Sequence, residues 1–149
     1  TKSLPKGGNT PKELVGNLPY RLRMNLAKHI DDAHCNIVPK KGLTAMVARQ
    51  TARDAQLADA LVSNSGTGGG VLIAGAGHVR QDFGVPFHLG QRKSGLIVIS
   101  VAILEVAADG PSNPSELKGQ SSHFPFDYLW FTPRVNEDSP CDHISGRIL

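Results

Sequence analysis

Apolar positions recur at helical spacing twice in the first half of the chain. Over residues 20–34, Leu22, Leu26, Ile30 and Ala33 fall on one side, with Arg21, Arg23, Asn25, Lys28 and Asp32 largely on the others. This spacing predicts a helix, with Pro19 as an early helical residue and Cys35-Asn36 and Pro39 ending it. After Gly42 comes the strongest helical pattern, over residues 43–63. Leu43, Met46, Val47, Leu57, Ala58 and Leu61 trace one side, and alanines at 45, 48, 52, 55, 58 and 60 add helix propensity and allow close packing. Gln50 and Asp54 interrupt that side, four residues apart and pointing the same way. Arg49 and Arg53 make a second such pair on a neighbouring face. A solvated face is the commoner use of such residues; the functional alternative is that Gln50, Arg53 and Asp54 line a cleft.

The second half changes to shorter apolar runs. Residues 71–74, Val-Leu-Ile-Ala, predict a buried strand, and Gly75, Gly77, His78, Arg80 and Asp82 follow at once. Titratable groups behind a buried strand are where an α/β sheet presents its chemistry, because the strand's carboxyl end opens into a crevice. Residues 96–106 are β-branched and nearly continuous in apolar character, which predicts a strand buried on both faces of a parallel or mixed sheet. Residues 126–131 predict an aromatic strand, with Asp127, Leu129 and Phe131 on one face and Phe126, Tyr128 and Trp130 on the other. Gly84-Val85-Pro86 marks a bend, and Phe87-His88-Leu89 a short helical turn or an edge. Residues 1–19 read as a loose arm with one helical turn near 12–15, 64–70 as a helix-to-strand connector, 109–123 as a long exposed loop and 134–149 as an irregular tail. The expected fold is α/β, a mainly parallel or mixed sheet flanked by helices, with residues 20–149 forming a partial domain.

Composition narrows the functional classes. At 149 residues the chain is one domain or part of a larger one. The net charge of +3 is spread over scattered Lys and Arg, without the basic stripe and aromatic partners of a nucleic-acid surface. No run of 18 apolar residues is present to span a membrane, and residues 1–10 lack the apolar core of a signal peptide. Two cysteines, Cys35 and Cys141, make one disulfide or none, which spacing alone leaves open.

Motif order removes several chemistries. The glycines of 66–70 follow a helix and precede a strand, the reverse of a phosphate loop. Gly75 and Gly77 match the first two glycines of a dinucleotide fingerprint, but Arg80 holds the third position and no acidic residue closes a second strand. Cys141-x-His143 and His34-Cys35 are too few and too far apart in pattern for structural zinc. There is no Gly-x-Ser-x-Gly elbow and no Cys-x-x-Cys-His for covalent haem attachment. His78, on a glycine-flanked turn, remains the leading residue, as a metal ligand, a general base or a haem contact. Tyr20 and Tyr128 are further candidates, since a phenolate ligates haem iron.

The order of these segments resembles a known family. His34-Cys35, then Met46-Val47-Ala48-Arg49-Gln50-Thr51-Ala52-Arg53-Asp54-Ala55-Gln56-Leu57-Ala58, then Ile73-Ala74-Gly75-Ala76-Gly77-His78-Val79-Arg80 with Gly84-Val85-Pro86, then Phe126-Asp127-Tyr128-Leu129-Trp130-Phe131-Thr132-Pro133 are similar to the ChaN-type haem-binding lipoproteins of the Tiki/EreA-like superfamily. The resemblance implies an α/β fold, haem as ligand, and a role in bacterial iron uptake on the periplasmic side of the cell envelope, anchored through a lipoprotein N-terminus. It marks Gly75 to His78 as a Gly-x-x-His element; with the residues singled out above, the pocket candidates are Gly75, Gly77, His78, Arg80, Gln50, Arg53, Asp54, Tyr20 and Tyr128. The superfamily's Gly-x-Glu-x-His-type element has no counterpart here, so the chain reads as a C-terminal half whose other wall comes from an N-terminal half or a second polypeptide. A missing half would leave strand faces uncovered and favour a homodimer or poor solubility. Haem binding without catalysis is the leading expectation; a metal-dependent hydrolase using His78, and a non-catalytic interaction domain, are the alternatives.

Overall fold

The computed structural model describes residues 18–92, 95–110, 124–135 and 141. Most of the expected arm, the helical turn near 12–15, most of the loop at 109–123 and nearly all of the tail, His143 included, lie outside the described residues. Three helices and two strands follow in order: α1 Tyr20–Ala33, α2 Lys40–Asn64, a 3-10 turn Ala76–His78, α3 Val85–Arg92, β1 Val101–Val106 and β2 Tyr128–Pro133. The result is a small α/β unit of partial-domain type. Both long helices start immediately after a proline, Pro19 and Pro39, so each proline stands outside the first helical residue.

One face of α1 meets α2 across the main core. Leu26 and Ile30, four residues apart, are buried with Leu18, Val47 and Phe83. Leu18, at the end of the expected arm, is thus a core residue. Helix α1 ends where Cys35 and Asn36 both take left-handed backbone, and the Asn36 amide reaches back to the Asp31 carbonyl at 2.8 Å. Cys35 is bonded to Cys141 with a Cα–Cα separation of 5.6 Å. That link ties the end of α1 to chain beyond β2.

A second core joins α2 to α3. Ala58, Val85 and Leu89 are buried there, with Leu57, Leu61, Leu72 and Val98 packed against them. Arg92 pins the same two helices: its Nε donates to Asp59 Oδ1 at 2.5 Å and its Nη2 to the Ala55 carbonyl at 2.9 Å. Residues 87–89, left between helix and edge by the sequence, are helical.

The sheet departs most from expectation. β1 and β2 pair in parallel, with Val101 opposite Tyr128 and Ile103 opposite Trp130. Residues 71–74 and 96–100 have no regular secondary structure and lie outside any ladder. The expected buried strand at 71–74 is therefore corrected: Leu72 faces the helices, but Val71 and Ile73 point to solvent, Ile73 95% exposed. The strand expected to be buried on both faces is corrected likewise. Val98, Ser100 and Ala102 face inward, whereas Ile97, 93% exposed, and Ile99, Val101 and Ile103 do not. Among the described residues, Leu72 and Val98 pack against the α2–α3 core while their alternate neighbours stay exposed, so the apolar continuity of the sequence meets cover on one face only. β2 begins two residues later than expected, and its alternation holds: Tyr128 and Trp130 are exposed, Leu129 and Phe131 partly buried.

Candidate functional site

Segment 71–74 delivers the chain into the 3-10 turn, closed by the His78 amide on the Gly75 carbonyl at 2.8 Å. This turn aims the His78 side chain at the middle of α2. There its Nδ1 is hydrogen-bonded to Oδ1 of Asp54. Asp54 is fully buried, whereas the His78 side chain is 21% exposed. Oδ2 of Asp54 is buried, and among the described residues neither it nor Nε2 of His78 has a partner.

Burial pushes the Asp54 carboxyl up to about 6, against the opposing pull of the His78 hydrogen bond and the His78 and Arg53 charges. A carboxylate kept in so dry a place, with one oxygen bonded to an imidazole, fixes that ring's orientation and tautomer. Nδ1 carries the proton toward Asp54 and Nε2 presents a lone pair outward.

Three neighbours complete the wall. Gln50, one turn before Asp54, extends its amide to the Gly77 carbonyl in a long contact of 3.5 Å. On the other side His29 of α1 lies against Gly77. A Cβ at Gly77 would come 2.8 Å from His29 Nε2, so a side chain there would collide with that ring, and would only touch Gln50 Nε2 at 3.5 Å. The His29 ring leans on Phe83, centroids 5.7 Å apart. Burial, then the Arg80 charge, hold its imidazole below the usual histidine range, so it is neutral near pH 7.

The turn is held from behind. The Val79 carbonyl accepts from the Ser100 hydroxyl, and the Gln81 amide donates to the Pro125 carbonyl at 2.8 Å. Gly84 closes the loop with its amide on the Arg80 carbonyl at 3.0 Å; a Cβ there would stand 2.7 Å from that same carbonyl oxygen. Backbone cannot yield as a side chain does, so Gly84 lets α3 start directly beneath the His78 turn.

The structure brings Gln50, Asp54, Gly77 and His78 together, with Gly75 at the turn's entry. Arg53 is exposed on the next face of α2, near enough to influence Asp54 electrostatically. Arg80 is committed elsewhere: it forks onto Asp82 at 3.0 and 2.8 Å and lies 4.5 Å from the Phe83 ring centre. Tyr20 is exposed at the start of α1 beneath Arg23, and Tyr128 stands on the bare sheet face beside Val101, away from the helices. Neither tyrosine joins the His78 turn. The residue that sequence reading missed is His29. Its only signal was position, three residues after Leu26 on the buried stripe of α1, where a polar ring breaks the apolar pattern.

Among the described residues no group of three or more His, Cys, Asp or Glu stands together to hold a metal ion. The wall instead offers one oriented imidazole nitrogen and a buried oxygen that has lost its solvent. That donor set fits a group needing a single axial nitrogen, as haem iron does.

A family model described as "Haem-binding uptake, Tiki superfamily, ChaN" matches residues 3–89. The match takes in α1, α2, the His78 turn and the start of α3, and stops before the sheet. No curated protein and no solved structure matches.

Proposed function

Because the chain belongs to the haem-binding uptake family of the Tiki superfamily, we propose that it binds haem as cargo at the His78 turn, for bacterial iron acquisition. The observation that carries this reading is the Asp54–His78 pair. A histidine that ligates a metal commonly gives its second ring nitrogen to a carboxylate, which orients the ring and raises its basicity. In this reading His78 Nε2 is the iron ligand, Asp54 holds the imidazole, and His29 and Gln50 pack the turn into place. Gly75 lets the macrocycle approach the backbone, while the space beside Gly77 is taken by His29. The second wall, which the resemblance assigns to a Gly-x-Glu-x-His-type element, comes from outside the described residues, in a preceding half or a second chain.

The proposed compartment is the periplasmic side of the cell envelope, reached through a lipoprotein anchor. The Cys35–Cys141 bond supports it, since disulfides persist in oxidising compartments and are rare in the cytosol.

Titrating ferric haem into the purified protein tests the reading. A saturable Soret shift is expected, abolished by His78→Ala and weakened about 10- to 100-fold by Asp54→Asn. Loss of the shift in Tyr128→Phe or Tyr20→Phe, with His78→Ala unchanged, would move the ligand to a phenolate and overturn the assignment. Absence of saturable binding in the unaltered chain would end the haem reading. The same Asp–His pair is also the arrangement of a general base, which makes hydrolysis the second reading. Turnover of an ester panel, lost in His78→Ala, would favour it.

A further inference from the structure

Arg49 and Arg53 form a row along α2, offset by one residue from the row of Gln50 and Asp54 that faces the His78 turn. Both arginines are exposed, and among the described residues neither has a hydrogen bond or an ion pair. Arg80 and Arg92, by contrast, are each committed to an aspartate. No Asp or Glu stands three or four residues from Arg49 or Arg53, so the helix itself supplies no counter-charge. Like charges four residues apart repel and disfavour the helix that carries them. Two unneutralised guanidiniums therefore border the wall that holds the oriented imidazole.

We propose that Arg49 and Arg53 receive the two propionate carboxylates of the tetrapyrrole, so that the site selects a dianionic ring and sets its acidic edge along this side of α2. The proposal rests on the haem reading for its ligand, and not on which atom ligates the iron. Position supports it. Gln50 lies between the two arginines in sequence and reaches the Gly77 carbonyl, so the basic row borders the turn that carries His78. The Arg53 charge is also felt at Asp54, the partner of His78. Chemistry supports it as well. Side chains four residues apart on a helix leave it about 6 Å from each other, which suits two acids on one edge of a single macrocycle. A guanidinium forks onto a carboxylate through two parallel N–H donors, so the pair fixes direction as well as charge. One axial nitrogen leaves the ring free to turn about the iron–nitrogen axis, and two carboxylate anchors on α2 stop that rotation.

Titration of the whole chain with ferric haem and with its dimethyl ester, which keeps the iron and loses both charges, forms the test. The unaltered chain is expected to bind the ester about tenfold more weakly than the diacid at low salt, with the gap closing as salt screens it. The double variant Arg49→Gln, Arg53→Gln is expected to lose that preference. Its affinity for the diacid falls to that for the ester, its ester affinity is unchanged, and its haem Soret position and helical circular dichroism match those of the unaltered chain. A double variant that still prefers the diacid tenfold overturns the proposal. So does one that loses diacid and ester equally, which would make the arginines structural. If the double variant unfolds, the unaltered chain still decides, because equal affinity for diacid and ester overturns the proposal. In each of these cases haem binding at the His78 turn survives. Absence of saturable haem binding in the unaltered chain ends that reading, and this proposal with it.

Discussion

Asp54 and His88 should drive stability in opposite directions over the same pH range, so that each conceals the other. Asp54 is fully buried, and its carboxyl titrates near 6 when folded against 3.8 ordinarily. Between those values the folded state holds a proton that the unfolded state has lost, so this group's contribution is fully present below 3.8 and disappears as pH rises through 6. His88 is 4% exposed, its Nε2 has no partner among the described residues, and burial and then the Arg92 charge push it down to about 4 from 6.5, with Asp59 opposing. Here the unfolded state takes the proton first, so stability is present above 6.5 and is lost as pH falls through 4. At about 1.4 kcal/mol per pKa unit, each limb is on the order of 3 kcal/mol. The two nearly cancel in the unaltered protein between pH 4 and 6.5. Asp54→Asn should unmask the histidine, giving stability that climbs by about 3 kcal/mol across that interval. His88→Leu should unmask the aspartate and give a fall of similar size. Urea denaturation at several pH values measures both, and the informative quantity is the variant's profile minus that of the unaltered chain, which removes every other titrating group. Difference profiles flat to within about 1 kcal/mol would refute the burial argument for both sites. A corollary separates stability from function: at pH 8 Asp54→Asn is expected to be at least as stable as the parent while binding haem less well.

Two glycine substitutions should rank by what they strike. Gly84→Ala drives a methyl into the His78 carbonyl, and into that of Arg80 behind it, and should cost about 3 kcal/mol in urea denaturation, along with haem affinity, because the His78 turn must shift. Gly77→Ala meets only the His29 and Gln50 side chains, so about 1 kcal/mol is expected, with a larger relative effect on the Soret titration than on unfolding; the reverse ranking would contradict the contact assignments. Arg92→Ala, which unpins α3 from Asp59 and the Ala55 carbonyl, should cost about 1–2 kcal/mol at pH 7 and leave haem binding within a few fold. Reducing the Cys35–Cys141 bond opens a loop of 106 residues and should lower stability by up to about 4–5 kcal/mol, read as a calorimetric shift with and without dithiothreitol.

Helices were the legible part of this chain because their periodicity is local. The Leu22–Leu26–Ile30 spacing and the alanine-rich run of α2 each specify a buried side without reference to anything distant. The Gln50–Asp54 pair was legible as two side chains on one face; that this face receives His78 required the fold, since 24 residues separate the two partners. Sheet cover was misread for a physical reason. Unbroken apolar character in residues 96–106 says that both strand faces avoid water, but what covers a face is supplied by elements remote in sequence. Among the described residues the helical core covers one side alone. His29 and His88 were not distinguished because a single imidazole in an apolar stripe looks the same whether it packs, bonds or binds. The disulfide stayed open for the same reason: closing it depends on where β2 ends relative to α1, which no spacing encodes.

The left-handed turn at Cys35, joined to Cys141, has a topological consequence. The disulfide turns everything from the end of α1 to beyond β2 into a covalent ring, with α1 hanging from one side. One peptide-bond cut anywhere between residues 35 and 141 therefore opens the ring without releasing a piece. On a denaturing gel a singly nicked chain keeps its mass until thiol is added, and then falls into two fragments whose sizes locate the cut.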